Sequence, residues 1–319
     1  MKRTTHTFSI LVLLVTFLAS GWYLYAHREW LTVLADISWR QFLGLMSIRV
    51  LFIGLNGVLL KLLAARFQVQ LRFTEWFGLA FVTALFNYLI PFSGGMLVRA
   101  TYLKIRHNIP YAQFASWLAA TYLIIFLVTS LIGMGLTANL AQNVSSAIIL
   151  LAMFATMALF LTAVLILPSF HFPERNRLFK TANVALDGWR VIKNDSRLLL
   201  QMVLYTVVSF ALNGLSFWYA FTILGIEIKP AAAFIVSMSG IYAVVISLTP
   251  GNFGIQEAGA TLLAGMVGSG LGEGLLVVLL IRLATMLPII ILGLIFTYRL
   301  AQYLGDYSFL RPTKRKQLV

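Results

Sequence analysis

Two short segments combine residue types that can hold an ion in an apolar environment. They read PFSGGMLVRA, residues 91–100, and PGNFGIQEAG, residues 250–259. Each has proline at its first position and glycine at its fifth, followed by an ionisable residue, Arg99 in the first segment and Glu257 in the second. Each also follows a long apolar run, so the proline and glycine are expected to break a helix at membrane depth. Free backbone N–H groups at the start of the next half-helix would favour an anion.

Further arginines lie well inside other apolar runs of the sequence. Arg49 and Arg282 each occupy a position where a charged side chain costs at least about 2.5 kcal/mol on insertion, so each needs a partner. Glu257 is one candidate, but Arg49, Arg99 and Arg282 face this acid alone. An external anion is therefore expected to supply the missing charge, and a lipid phosphate suits arginine. The alternatives are a static Arg282–Glu257 ion pair, and an Arg49 that contacts a carbonyl or water.

The candidate site follows from these residues. Loss of Arg49 is expected to matter less than loss of Arg99, Arg282 or Glu257. Asparagines on apolar runs, such as Asn213, are expected to form hydrogen bonds between helices. The predicted binding residues are Arg49, Ser93, Arg99, Asn252, Gln256, Glu257 and Arg282, and the predicted break residues are Pro91, Gly94, Gly95, Pro250, Gly251 and Gly254.

The composition predicts a membrane protein and excludes several kinds of chemistry. Of the 319 residues, 60% are hydrophobic and 11% are charged, with a mean hydropathy of +0.90, whereas a soluble domain carries about a quarter charged residues. The sequence has no cysteine, which excludes disulfides, thiol catalysis and Cys-ligated metals, and its four histidines lack metal-ligand spacing. No metal or cofactor is expected. The net charge of +14 fits basic cytoplasmic loops better than nucleic-acid binding.

Apolar runs and flanking charges together predict a topology. Two apolar stretches, about 75–105 and 231–268, are interrupted by proline and glycine. The first has basic flanks, which favours a re-entrant hairpin from the cytoplasm, and the second is followed by an uncharged-to-acidic segment, which favours a hairpin from the outside. A plain eight-crossing topology is the alternative. Six full transmembrane helices are predicted at about 8–26, 41–63, 112–138, 145–168, 197–224 and 274–298.

Oppositely oriented hairpins between full helices are typical of an inverted-topology repeat. The predicted fold is thus an all-α polytopic membrane protein, with one integral membrane domain over residues 1–319. Repeat one covers about 41–138 and repeat two about 197–300, with a cytoplasmic linker at about 169–197. Both termini are expected on the cytoplasmic side of the inner membrane.

The two break segments resemble motifs of the transmembrane region of lysylphosphatidylglycerol synthases, also called the flippase-like domain family. The family motifs have the forms P-x-x-x-G-(acid)-x-x-R and P-G-x-x-G-x-x-E, and the resemblance extends over about 5–305. The acid that often follows the first-motif glycine is Met96 here, so no carboxylate at that position can pair with an arginine. The matching residues are Pro91, Gly95, Arg99, Pro250, Gly251, Gly254 and Glu257.

The resemblance implies movement of a phospholipid, or of a polyisoprenyl lipid or glycolipid, between leaflets. The soluble aminoacyl-transferase domain of the bifunctional members is not expected, because the sequence ends at Val319. No nucleotide-binding loop is found, so transport would be passive or gradient-driven. One alternative is a membrane enzyme acting on lipid-linked substrates, although the outer loops lack a carboxylate cluster. Another is an accessory protein that binds a biosynthetic enzyme through the loop at 169–197.

Overall fold

The computed structural model describes residues 37–141, 147–166, 195–246 and 249–305, together with the isolated positions 173, 176, 179 and 183. Within these residues the secondary structure is entirely helical. The helices are α1 (Trp39–Arg66), α2 (Phe73–Leu89), α3 (Gly94–His107), α4 (Tyr111–Ala141), α5 (Ala147–Ile166), α6 (Ser196–Ile223), α7 (Pro230–Ile246), α8 (Ile255–Met266) and α9 (Leu271–Gly305), with a 3₁₀ turn at Pro250–Asn252.

Five of these helices are long and apolar enough to cross a membrane, namely α1, α4, α5, α6 and α9. They correspond to five of the six predicted spans, and they confirm the prediction of an all-α polytopic membrane protein. The sixth predicted span, 8–26, and most of the predicted linker lie outside the described residues. The two interrupted stretches form the helix pairs α2–α3 and α7–α8, in which the partners pack against each other.

The first break, between α2 and α3, follows from local backbone chemistry. Ile90 is extended, as the residue before a proline prefers, and Phe92 and Ser93 both have positive φ angles, 58° and 55°. The Ser93 side chain does not cap α3. Instead, the amide oxygen of Asn87 accepts a hydrogen bond from the backbone N–H of Gly95 at 2.9 Å. The end of α2 therefore satisfies one of the free N–H groups at the start of α3.

Gly95 also allows the two helices of this pair to approach closely. A Cβ atom at this position would lie 1.9 Å from the backbone oxygen of Thr83. Because that neighbour is backbone, the Gly95→Ala variant is expected to lose about 1–3 kcal/mol of stability or more through overpacking. Thermal unfolding of the purified protein in detergent measures the loss. Gly135→Ala in α4 is the matched control, since nothing lies within 4 Å of its Cβ position; equal melting of the two variants would contradict this packing.

The second break, between α7 and α8, uses a turn with several left-handed residues. Gly251, Asn252 and Gly254 have φ angles of 58°, 54° and 84°, and glycine adopts such angles without steric cost. The backbone N–H of Gly254 donates to the Glu257 carboxylate at 2.8 Å. A side chain thus caps the first turn of α8, as Asn87 caps the first turn of α3.

Helix α9 contacts both helix pairs and so places its own polar residues between them. Small residues permit the close approach: a Cβ at Gly293 would meet Leu85 of α2 at 2.9 Å, and a Cβ at Gly274 would meet Ala264 of α8 at 2.6 Å. Such small residues are typical of packed transmembrane helices. The result is that Arg282, in the first half of α9, faces the second break.

Candidate functional site

A cavity of about 320 Å³ lies between the two breaks. Helices α1, α2, α3, α4, α6, α7, α8 and α9 and the 3₁₀ turn all contribute to its lining. Among the described residues that line it, Arg49 and Arg99 are charged, and none is Asp, Glu, Lys or His. The neutral polar lining includes the amide side chains of Asn56, Asn87, Asn213, Asn252 and Gln256.

Arg49 of α1 is buried, with 7% of its surface exposed, and its hydrogen bonds go to neutral groups. Its Nε donates to the hydroxyl of Thr285 and its Nη1 to the amide oxygen of Asn213, both at 2.9 Å. The Asn213 amide nitrogen in turn donates to the Ser237 carbonyl at 2.8 Å, which fixes the amide with its oxygen toward the arginine. Within the described part of the chain, the Nη2 group has no hydrogen-bond partner and is available to a ligand.

Arg99 of α3 is equally buried, at 8% exposed, and also lacks an acidic partner among the described residues. Its Nε donates to the Thr83 hydroxyl at 2.8 Å. That hydroxyl donates to the Leu79 carbonyl at 2.6 Å, so it presents a lone pair to the guanidinium. Neither Nη group has a hydrogen-bond partner in the described ranges. Arg99 is therefore positioned by one neutral contact, with most of its donors unused.

Arg282 and Glu257 form an ion pair behind the cavity rather than in its lining. Their side chains are 4% and 5% exposed. The Arg282 Nε donates to one Glu257 oxygen, and its Nη2 donates to the other at 3.0 Å. The two Nη groups also donate to the carbonyls of Gly251 and Asn252, at 2.9 and 3.1 Å, and the guanidinium lies 4.2 Å from the centre of the Phe253 ring. These contacts hold α9, the turn and the start of α8 together.

The end of α2 contacts the second break directly. The Tyr88 ring packs on the turn, where a Cβ at Gly251 would lie 2.5 Å from it. Its centroid is 5.9 Å from that of Phe253, with an edge-on interplanar angle of 71°. Ser93 from the first break and Gly251 and Asn252 from the second line the same cavity. The two breaks thus contribute to one site.

The predicted site residues divide into two groups in space. Six of them line the cavity, whereas Glu257 and Arg282 brace its wall and the remaining break residues shape the backbone. Residues that sequence reasoning did not assign to the site include Thr83 and Thr285, which orient the two arginines. A hydroxyl in an apolar helix is too common a feature to mark a site. The cavity-lining predicted residues are Arg49, Ser93, Arg99, Gly251, Asn252 and Gln256.

Glu75 lies in the first turn of α2, outside the five spanning helices. It connects the start of α2 to α3. Its carboxylate accepts hydrogen bonds from the Tyr102 hydroxyl at 2.8 Å, from the Arg72 backbone at 2.9 Å and from His107 at 2.9 Å. Arg106 lies 3.8 Å away. Burial alone would raise the pKa of Glu75, but the hydrogen bonds from His107, the Arg72 amide and Tyr102 outweigh it and lower the pKa to about 2. Glu75 is therefore ionised at neutral pH.

Replacing Glu75 with Gln is expected to loosen the base of this pair. The change removes the charge that His107 and Arg106 face, and hydrogen bonds to a charged group contribute about 1.5–3 kcal/mol each. The expected result is a clearly lower melting temperature in detergent at neutral pH. Glu227→Gln is the control, because Glu227 is exposed in the segment between α6 and α7. If Glu75→Gln and Glu227→Gln had the same melting temperature, the hydrogen bonds and charges around Glu75 would not contribute to stability.

Fold and site together define a class: a polytopic, all-helical membrane protein in which two broken helix pairs line a buried cationic cavity. The chain belongs to the family described as the lysylphosphatidylglycerol synthase TM region, whose model matches residues 7–293. This match confirms the resemblance seen in the two break motifs, and the family's function is related to membrane lipids. No curated protein and no solved structure gave a match.

Proposed function

We propose that this protein is a lipid translocase of the cytoplasmic membrane, which moves an anionic phospholipid or lipid-linked substrate between leaflets. The observation that carries the proposal is the pair of buried arginines, Arg49 and Arg99, in one cavity without an acidic lining residue among those described. The headgroup would bind there, at the meeting point of the two breaks.

These buried guanidinium groups need an anion. A buried charge without a counter-ion is costly, and hydrogen bonds to neutral groups offset only part of that cost. Thr285, Asn213 and Thr83 are such neutral partners. Phosphate oxygens match the planar fork of a guanidinium and can take the Nη donors that remain unused on Arg49 and Arg99.

A second feature favours a lipid over a soluble anion. An apolar groove of about 790 Å³ lies between α5, α7 and α8, and the pair α7–α8 separates it from the cationic cavity. Gly240 and Gln256 of this pair face the cavity, whereas Tyr242 and Gly259 face the groove. Ser239 also lines the groove, and its buried hydroxyl has no hydrogen-bond partner among the described residues. An acyl chain of a lipid that approaches from the bilayer would fill the groove, with its ester carbonyl accepting from this hydroxyl, on the far side of the pair from the headgroup site.

The order of helices suggests how the headgroup would cross. The pair α2–α3 lies between α1 and α4, and the pair α7–α8 lies between α6 and α9. The segments α1–α4 and α6–α9 therefore have the same order of a helix, a broken pair and a second helix. With the flanking charges, this order supports two oppositely oriented re-entrant hairpins in an inverted repeat, with both termini cytoplasmic. Movement of one half against the other would expose the site to each leaflet in turn.

In this proposal Arg282 and Glu257 hold the second hairpin in shape. Their mutual contacts, together with those to the Gly251 and Asn252 carbonyls, leave little capacity for a headgroup. A rigid second break then presents Asn252 and Gln256 to the cavity at fixed positions.

The proposal is tested in proteoliposomes that contain fluorescent anionic or zwitterionic lipid in both leaflets. Dithionite quenches the outer leaflet at once, and it quenches inner-leaflet lipid only after that lipid has moved outward. The assay is run with and without an imposed pH gradient. We expect vesicles with the protein to lose inner-leaflet anionic lipid much faster than protein-free vesicles. Equal rates in vesicles with and without the protein, both with and without the pH gradient, would overturn the proposal.

A further inference from the structure

We infer that the cavity selects a headgroup with two negative charges, such as a phosphate monoester or a diphosphate, over a singly charged phosphodiester or a zwitterion. This inference rests on the proposed function, because it names the class of lipid that the same cavity would take.

The charge of the cavity lining determines how much negative charge a headgroup must carry to balance it. Arg49 and Arg99 contribute two positive charges, and among the described lining residues no carboxylate reduces that sum. Met96, one turn before Arg99, lines the cavity with a neutral side chain. Both arginines are at least nine-tenths buried, so solvent screens their charges poorly.

A singly charged phosphodiester would neutralise only one of the two guanidinium groups. A phosphate monoester has a second pKa near 6 and carries about −1.5 to −2 charges at neutral pH. Two guanidinium groups in the lining of one cavity favour its fully ionised form. A monoester or diphosphate can therefore balance both arginines, which a phosphodiester cannot.

The remaining lining fits additional phosphate oxygens but not a cationic headgroup. The amides of Asn252 and Gln256 and the hydroxyl of Tyr122 are hydrogen-bond donors to oxygen. An ammonium group would be repelled by the two arginines and would find no carboxylate among the described lining residues. The cavity is thus expected to reject zwitterionic and aminoacylated lipids.

The test measures binding, which does not require transport. Purified protein in detergent is titrated with phosphatidic acid, phosphatidylglycerol and phosphatidylcholine of identical acyl chains, and bound lipid is counted by native mass spectrometry. We expect phosphatidic acid to bind roughly tenfold or more tightly than phosphatidylglycerol, since one charge-assisted contact is at stake. Phosphatidylcholine is expected to bind most weakly.

Two variants of one residue supply the decisive comparison. Met96→Glu places a carboxylate in the cavity and lowers its charge from two to one, so the preference for phosphatidic acid over phosphatidylglycerol should disappear. Met96→Gln is neutral and of similar size, and it should keep the preference. Equal binding of the two anionic lipids by the wild type, or an unchanged preference in Met96→Glu, would overturn the inference. If the lipids bound in the expected order but the dithionite assay showed no lipid movement, the inference would be upheld and translocation would be refuted.

Discussion

Replacing Arg99 with Gln is expected to slow translocation of anionic lipid roughly tenfold to a hundredfold, and Arg49→Gln is expected to slow it by a similar factor. Each change removes a guanidinium that lines the cavity and has unused donors. From the sequence, replacement of Arg49 was expected to affect translocation less than replacement of Arg99 or Arg282. Because Arg49 and Arg99 line the same cavity, equal effects are now expected for these two residues. The dithionite assay, at matched amounts of reconstituted protein, measures both rates.

Arg197→Gln is the matched control for these variants, because Arg197 is exposed at the start of α6. It should transport lipid at the wild-type rate. Arg99→Lys should fall between wild type and Arg99→Gln, because lysine keeps the charge but not the fork of donors. Wild-type rates in Arg49→Gln and Arg99→Gln would remove both residues from the site.

The second large effect is expected for stability. Arg282→Leu leaves the Glu257 carboxylate buried without its counter-ion, and breaking a buried ion pair in this way costs about 3–5 kcal/mol. The double variant Arg282→Leu/Glu257→Gln removes both charges and should regain a large part of that loss. The difference between the two, measured by thermal unfolding in detergent, reports on the pair itself.

A different outcome would assign Arg282 and Glu257 to headgroup binding. If Arg282→Leu melted like the wild type while its lipid translocation fell, Arg282 and Glu257 would have to contact the headgroup. The sequence alone suggested that assignment, because both residues are ionisable and lie next to the second break. The contacts with the Gly251 and Asn252 carbonyls favour the structural role.

Much of the fold could be predicted because its signals are local. Long apolar runs mark the spanning helices, and proline at 91 and 250 removes a backbone N–H where each run is interrupted. Both broken pairs occur where the sequence placed them. The approach of the pairs to each other depends on contacts such as Tyr88 with Phe253, which no local pattern encodes.

The roles of the site residues were harder to predict for the same reason. Arg49 and Arg282 look alike in sequence, since both are arginines deep in apolar runs. Their partners come from remote segments: Arg49 meets Thr285 of α9, and Arg282 meets the turn before α8. Glu75 was overlooked because an acid at the start of a helix ordinarily faces solvent, and only the return of α3 buries it.

In the proposed function, Arg49 and Arg99 bind an anionic headgroup while it moves between leaflets. The most direct measurement compares translocation of fluorescent phosphatidic acid by the wild type, by Arg49→Gln/Arg99→Gln and by Arg197→Gln, in vesicles that hold equal amounts of folded protein. We predict rapid movement with the wild type and Arg197→Gln, and movement no faster than in protein-free vesicles with the double variant. Wild-type movement by the double variant would contradict the account.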